Sequence, residues 1–253
     1  MEAKHEALGV MLLLVAWYAA SAATRGFLPP PHAVAAAFLD PGFDAELARA
    51  YMLTAVRALT GYALGLAAGL GLGVLAAAAR LHRVLEPVAA IVASVPSVAW
   101  IPILIALVGV DEFRLPVLAA LLCSLPPILY EVFNAVSTLD PETVGVAMSL
   151  GARGAYLWRT IILPHILERV YPGAKIEAIM AWKTVFAAEM IAVPSGLGYL
   201  AITYADMLDM KHLLAVIAVL TATIAALVRL LGILEERMLA ERGLGAWSYA
   251  HGY

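Results

Sequence analysis

The chain has 253 residues, of which 63% are hydrophobic and only 14% charged. A soluble domain normally carries about 25% charged residues, so this composition marks a polytopic membrane protein. The net charge of -3 offers no basic surface for nucleic acid. The single cysteine, Cys123, excludes an internal disulfide framework, and no Cys/His cluster has metal-ligand spacing.

Apolar runs in lipid must satisfy their own backbone groups, as helices or as closed barrel strands. Runs of about 20 residues favour helices. The expected fold is therefore all-α, with six transmembrane helices near residues 7–24, 51–79, 84–109, 115–137, 173–194 and 212–234. The first follows Lys4 and His5 and ends in Ala20-Ser-Ala-Ala23, which reads as a cleavable signal peptide or as an uncleaved anchor. An uncleaved helix makes the topology even, so 1–24 is taken as a signal anchor. Arg25 to Arg49 reads as a loop with a short helix near 33–39, bounded by Pro29-Pro-Pro31 and Asp40-Pro-Gly42.

The second span carries Gly61, Gly65, Gly69 and Gly73, every fourth residue. On a helix these form a ridge without side chains, which suits close helix packing; a part in a pore is the other reading. Asp111, Glu112 and Arg114 mark a tight turn between the third and fourth spans. Pro96, Pro102, Pro116, Pro126 and Pro127 punctuate those spans, and each removes a backbone donor. Such breaks are tolerated where protein or a water-filled cavity resatisfies the backbone, which suits a transporter. Ser94, Ser97 and Trp100 flank the Pro96 break and either line a translocation path or pack there.

Residues 138–172 form the largest loop, and 235–253 a polar, charged tail. With the N-terminus inside, the inner segments hold Lys4, Arg80, Arg83, Arg153, Arg159, Arg169, Arg229, Arg237 and Arg242. The outer side holds Arg25, Arg49, Arg57, Arg114 and Lys211. This bias puts the large loop and both termini in the cytoplasm. Lys183 and Glu189 lie within the fifth span beside Trp182, with Lys175 and Glu177 near its cytoplasmic end. Charges at that depth are costly and face the bundle interior or a path. Six residues on a helix is about 240°, so Lys183 and Glu189 do not pair with each other. Glu131 and Asn134 on the fourth span are candidate partners. An interhelical ion pair or dimer contact is one reading, and a path that draws in an anion through Lys183 is the other.

In the large loop, Asp140-Pro141-Glu142 is a helix start: a cap, Pro at the first position and an acid in the first turn. That helix is expected to stop at Gly151. A second, over Ala152 to Ile162, is expected to end before Pro164. Ala147, Leu150, Tyr156, Leu157 and Trp158 would give this knob an apolar, aromatic surface, the character of a protein interface.

The same loop resembles the signature of importer permeases of the ATP-binding-cassette (ABC) class, written Glu-Ala-Ala, three residues, Gly, nine residues, Ile-x-Leu-Pro. Ala147, Gly151, Ile161, Leu163 and Pro164 match in register, while Gly145 stands at the Glu position and Val146 at the first Ala. Phe27-Leu-Pro-Pro-Pro-His-Ala-Val34, Pro96-Ser-Val-Ala-Trp-Ile-Pro102, Ala181-Trp182, Ala188-Glu189 and Gly196-Leu-Gly198 follow in order. Together they resemble the permeases for nitrate, taurine, alkanesulfonates and thiamine-precursor pyrimidines, from about residue 27 to Trp247.

The resemblance implies one permease domain over 1–253 in the cell inner membrane, working as a homodimer by alternating access. It implies cytoplasmic ATPase subunits docked on Ala147, Leu150, Gly151, Ala152, Tyr156, Leu157, Trp158, Ile161, Leu163 and Pro164. An extracytoplasmic binding protein would deliver cargo. ATP and Mg would be bound by the partner, since this chain has no Gly-x-x-x-x-Gly-Lys-Ser/Thr loop. An ion-coupled secondary transporter would need no such knob. An intramembrane enzyme would need convergent acids, bases or ligands, but His5, His32, His82, His165, His212 and His251 are scattered.

Overall fold

The computed structural model describes residues 2–24 and 27–241, and every regular element in them is helical. Most of the expected polar tail, including Arg242 and Trp247, lies outside the described residues, as does Arg25. Among the described residues eleven α-helices follow in order: α1 Glu2–Ala23, α2 Pro31–Ala37, α3 Phe43–Ala78, α4 His82–Ala93, α5 Trp100–Val108, α6 Arg114–Ser137, α7 Pro141–Ser149, α8 Gly154–Leu157, α9 Leu163–Ile191, α10 Leu197–Asp206 and α11 Met210–Glu241.

Three of them, α3, α6 and α11, are long and apolar enough to cross a membrane. The expected third span is not one straight helix. α4 and the segment Ser97–Val108 meet at 84°, broken at Ser94–Pro96, and together have the composition of a fourth crossing. Pro96 cannot donate into a continuing helix, and it starts a 3-10 turn at Ser97–Ala99 instead. α9 starts ten residues before its expected span and carries Lys175, Glu177, Lys183 and Glu189, which keeps it out of the apolar group.

The scaffold is α3 against α6. A Cβ on Gly61 would sit 2.5 Å from Ala120 Cβ and 2.6 Å from the Val117 carbonyl oxygen. On Gly65 it would meet the Leu121 oxygen at 2.9 Å, on Gly69 Ile128 at 2.9 Å, and on Gly73 Val132 at 2.8 Å. The two backbones thus touch along the glycine ridge, where dispersion between close helices replaces the missing hydrophobic drive. Both sets of numbers rise together, so α3 and α6 run parallel. The α4–α5 connection therefore returns the chain from one end of the bundle to the other.

α9 lies antiparallel to α6: Glu177 reaches Cys123, and His165 Nε2 lies 3.1 Å from the Ala135 oxygen. At one end α2, α10 and the start of α11 close over Phe43, Leu197, Leu200 and Val216. There Asp40 pairs with Lys211. The knob built from α7 and α8 projects from the opposite end. α1 stands aside, held to α2 by Trp17 Nε1 donating to the Pro29 oxygen at 3.1 Å; its Met11–Val15 face is exposed.

Candidate functional site

Three constellations stand out. The first is the knob. Asp140 caps α7, accepting from the backbone N–H groups of Glu142 (3.0 Å) and Thr143 (3.2 Å). These hydrogen bonds hold its carboxyl below the ordinary carboxylate range, the Glu142 N–H foremost. α7 ends in a six-to-one turn: the Ala152 N–H donates to the Ala147 oxygen at 2.9 Å, and the Gly151 N–H to Met148 at 3.1 Å. Gly151 sits at φ +95°, and a Cβ there would touch nothing. Its glycine is required by backbone conformation and not by crowding. Ala147 and Ala152 are the two ends of this turn.

The second helix of the knob departs from expectation. It starts at Gly154 and does not stop before Pro164. It passes through a π-turn at Trp158–Ile162 and continues as α9. A π-turn widens the coil by one residue and relieves the clash between a proline ring and the carbonyl four residues back. Leu150 is 83% and Tyr156 66% exposed, whereas Ala152 is buried and Leu157, Ile161, Leu163 and Pro164 are half-buried. Trp158 is half-buried against the apolar cluster that α6 and α9 form, and roots the knob. Gly145 is exposed, with open space where a side chain would stand.

The second constellation is a pocket of about 340 Å³ at mid-length of α6 and α9, where the α4–α5 break opens. Ser94 and Ser97 line it with Cys123, Pro126, Pro127, Glu177 and Met180. Thr184 Oγ1 donates to Ser97 Oγ at 2.8 Å, and Ser94 Oγ to the Ile91 oxygen at 2.7 Å. Glu177, expected near the cytoplasmic end of its span, lies at the middle of α9 because that helix begins earlier. Trp100, Glu131, Asn134, Trp182, Lys183 and Glu189 are not among the lining residues. Trp100 opens α5, Glu131 packs beside Gly173, and Asn134 is half-buried near the end of α6. Trp182 is buried and tilted against Tyr51, while Lys183 is exposed on the far side of α9.

The third was not visible as a unit in the sequence. Glu189 is 1% exposed, and its partner is Arg57, not Glu131 or Asn134. Arg57 Nη1 donates to Glu189 Oε1 at 2.7 Å and to the Ser195 oxygen at 3.0 Å. Arg57 Nη2 donates to Ser195 Oγ at 2.6 Å, which in turn donates to Glu112 Oε2 at 2.9 Å. Thr54 Oγ1 donates to Glu189 Oε2 at 2.8 Å and accepts the Leu197 N–H at 2.8 Å; the Gly198 N–H donates to Glu189 Oε2 at 3.0 Å. Arg57, assigned above to the outer charges, is therefore buried in α3. Gly196-Leu-Gly198 has its reason here. A Cβ on Gly196 would lie 2.2 Å from Glu189 Oε1, and one on Gly198 would lie 2.1 Å from the Phe186 oxygen. This clasp ties α3, the end of α9, the start of α10 and the Glu112 turn at the end remote from the knob.

Residues 61–240 match the family described as binding-protein-dependent transport system inner membrane component. The chain is 31% identical over 231 residues to the putative aliphatic sulfonates transport permease protein of Escherichia coli K12, covering 89% of this chain and 87% of that one. It is 29% identical to the taurine transport system permease protein of the same organism, covering 86% and 81%. The fold is similar to a chain in inward-facing structures of the MetNI methionine ABC transporter, with a TM-score of 0.59 at 20% identity over 75% of this chain and 93% of that one.

Proposed function

The chain belongs to the family of binding-protein-dependent transport system inner membrane components, the permeases of ABC importers, and from that premise we propose that it imports a small nitrogen- or sulfur-bearing nutrient, driven by ATPase subunits docked on the α7–α8 knob. The observation that carries the docking is the exposed Leu150 and Tyr156 on a capped, glycine-terminated turn rooted by Trp158. An apolar, aromatic projection of this kind suits a protein partner. Arg80, Arg83, Arg153, Arg159 and Arg169 gather at the knob's end of the bundle, which supports a cytoplasmic knob.

On this reading the chain crosses the membrane six times: α1, α3, the bent α4–α5 pair, α6, α9 and α11. Both termini are cytoplasmic. A second permease copy supplies the other half of the path. ATP and Mg are held by the ATPase, and a binding protein presents cargo at the clasp end. The relatives' cargo, taurine and aliphatic sulfonates, indicates the range of molecules to test.

The test is reconstitution with the cognate ATPase and binding protein in lipid vesicles. ATP-dependent uptake is expected. Gly151→Val forces a β-branched residue to positive φ, at a cost of about 1–3 kcal/mol. This variant should lose uptake while remaining inserted and folded. Wild-type uptake and copurification of the ATPase with it would refute docking at this turn.

A further inference from the structure

The α4–α5 break, the paired prolines of α6 and the central carboxylate of α9 all open on one pocket. Discontinuous helices near the middle of a bundle are where transporters place polar backbone atoms for cargo. Pro126 and Pro127 have no N–H, so the carbonyls of Leu122 and Cys123, four residues earlier, lack their usual donors. Both residues line the pocket.

Glu177 adds a carboxylate whose partner on this side is Cys123 Sγ at 3.8 Å, a weak donor. The Ser94 proton is committed to Ile91, while Ser97 accepts from Thr184 and keeps its own proton to donate. No Lys, Arg or His is among the lining residues, and the remainder of the wall is apolar. Against the Glu177 carboxylate and the two freed carbonyls the lining sets one uncommitted hydroxyl proton, so acceptors outnumber donors. A simple anion meets a carboxylate there with no counter-charge, whereas an ammonium or an amino group completes the site.

We propose that this pocket selects cargo carrying an amine or a comparable N–H donor, with Glu177 as the specificity-determining acceptor. The inference rests on the importer reading above and narrows it: a nutrient that is only an anion is disfavoured. At about 340 Å³ the space suits a small organic molecule.

Matched pairs test it, each differing by replacement of nitrogen with a methyl group: 2-aminoethanesulfonate against 1-propanesulfonate, and 4-amino-2-methylpyrimidine against 2,4-dimethylpyrimidine. Uptake is measured with the intact permease–ATPase complex and its binding protein in vesicles. Comparing permease variants with one binding protein isolates the permease's share of selectivity. The wild type should take up the amino member of a pair in preference to its counterpart. Glu177→Gln removes the charge that favours an ammonium and sets an NH2 donor in place of one carboxylate oxygen, so it should reduce that preference about tenfold or more. Glu177→Asp should keep part of it. Met180→Lys, at the pocket edge, should shift preference toward the anion and tests the idea should the Glu177 variants fail to fold. ATP-driven uptake that favours the methyl member, or a preference unchanged in Glu177→Gln and Met180→Lys, overturns the proposal and leaves the importer reading standing. Absence of any ATP-dependent uptake refutes the importer reading itself.

Discussion

At the scale of single residues the clasp around Glu189 is tightly constrained, by an ion pair and by two glycines with no room for a side chain. Removing one member of a buried ion pair leaves the other charge uncompensated, at a cost of about 3–5 kcal/mol. Glu189→Ala and Arg57→Ala should each destabilise the protein by about that much. A paired Arg57→Met/Glu189→Met variant should cost less than either, because no charge is then stranded. Thermal unfolding in detergent reads the difference; single variants within about 0.5 kcal/mol of wild type would contradict the burial. The sequence exposed half of this site. Glu189 was conspicuous as a carboxylate in an apolar run, but its partner lies 132 positions away. Arg57 near the outer part of its span passed for a boundary charge. An arginine fourteen residues inside a helix that starts at Phe43 is the signal that could have found it. Gly196 and Gly198 read only as loop residues because their crowding comes from Glu189 and Phe186, which only the folded chain brings near.

At the scale of elements, the α3–α6 seam gives an internal control. Gly61→Ala would press a methyl into Ala120 and the Val117 carbonyl, and overpacking of this kind costs about 1–3 kcal/mol. Gly71→Ala on the same helix meets open space and should stabilise by up to about 1 kcal/mol. Equal effects of the two substitutions in thermal unfolding would refute the seam. The spacing of four was legible because a helix repeats nearly every four residues. The end of the knob's second helix was not. A proline after an apolar run reads as a stop, and the π-turn that lets the helix pass through Pro164 has no distinct sequence mark. The Asp140 cap adds a pH expectation. Its folded pKa is lowered, so its contribution to α7 is fully present above the ordinary carboxylate value of about 4 and fades as pH falls through the lower folded value. Coupling of ATP hydrolysis to uptake should therefore be flat in this contribution between about pH 6 and 8, and Asp140→Ala should weaken coupling evenly across that window. A loss confined to the acid side in that variant would point to another group.

At the scale of the whole molecule, Lys183 is an exposed cation on α9 with no ion pair in its own subunit among the described residues. A lysine facing lipid near the bilayer centre costs about 2.5–3.5 kcal/mol, so this face suits a second permease copy or an aqueous path. Lys183→Cys should cross-link two copies under mild oxidation in the intact complex. Lys183→Met should leave unfolding of the isolated subunit within about 0.5 kcal/mol, as for other surface changes. A native mass containing one permease, with no cross-link, would remove the homodimer.

The unbroken passage from α8 through the π-turn into α9 makes the knob and Glu189 two ends of a single rod. The α9 part alone is 29 residues, about 43 Å at the helical rise. Its coil is modified at the π-turn and again at Pro172, and between His165 and Glu177 it packs antiparallel along α6. On the docking reading, a displacement imposed at Tyr156 has one continuous helix by which to reach the Glu189–Arg57 pair at the opposite end of the bundle.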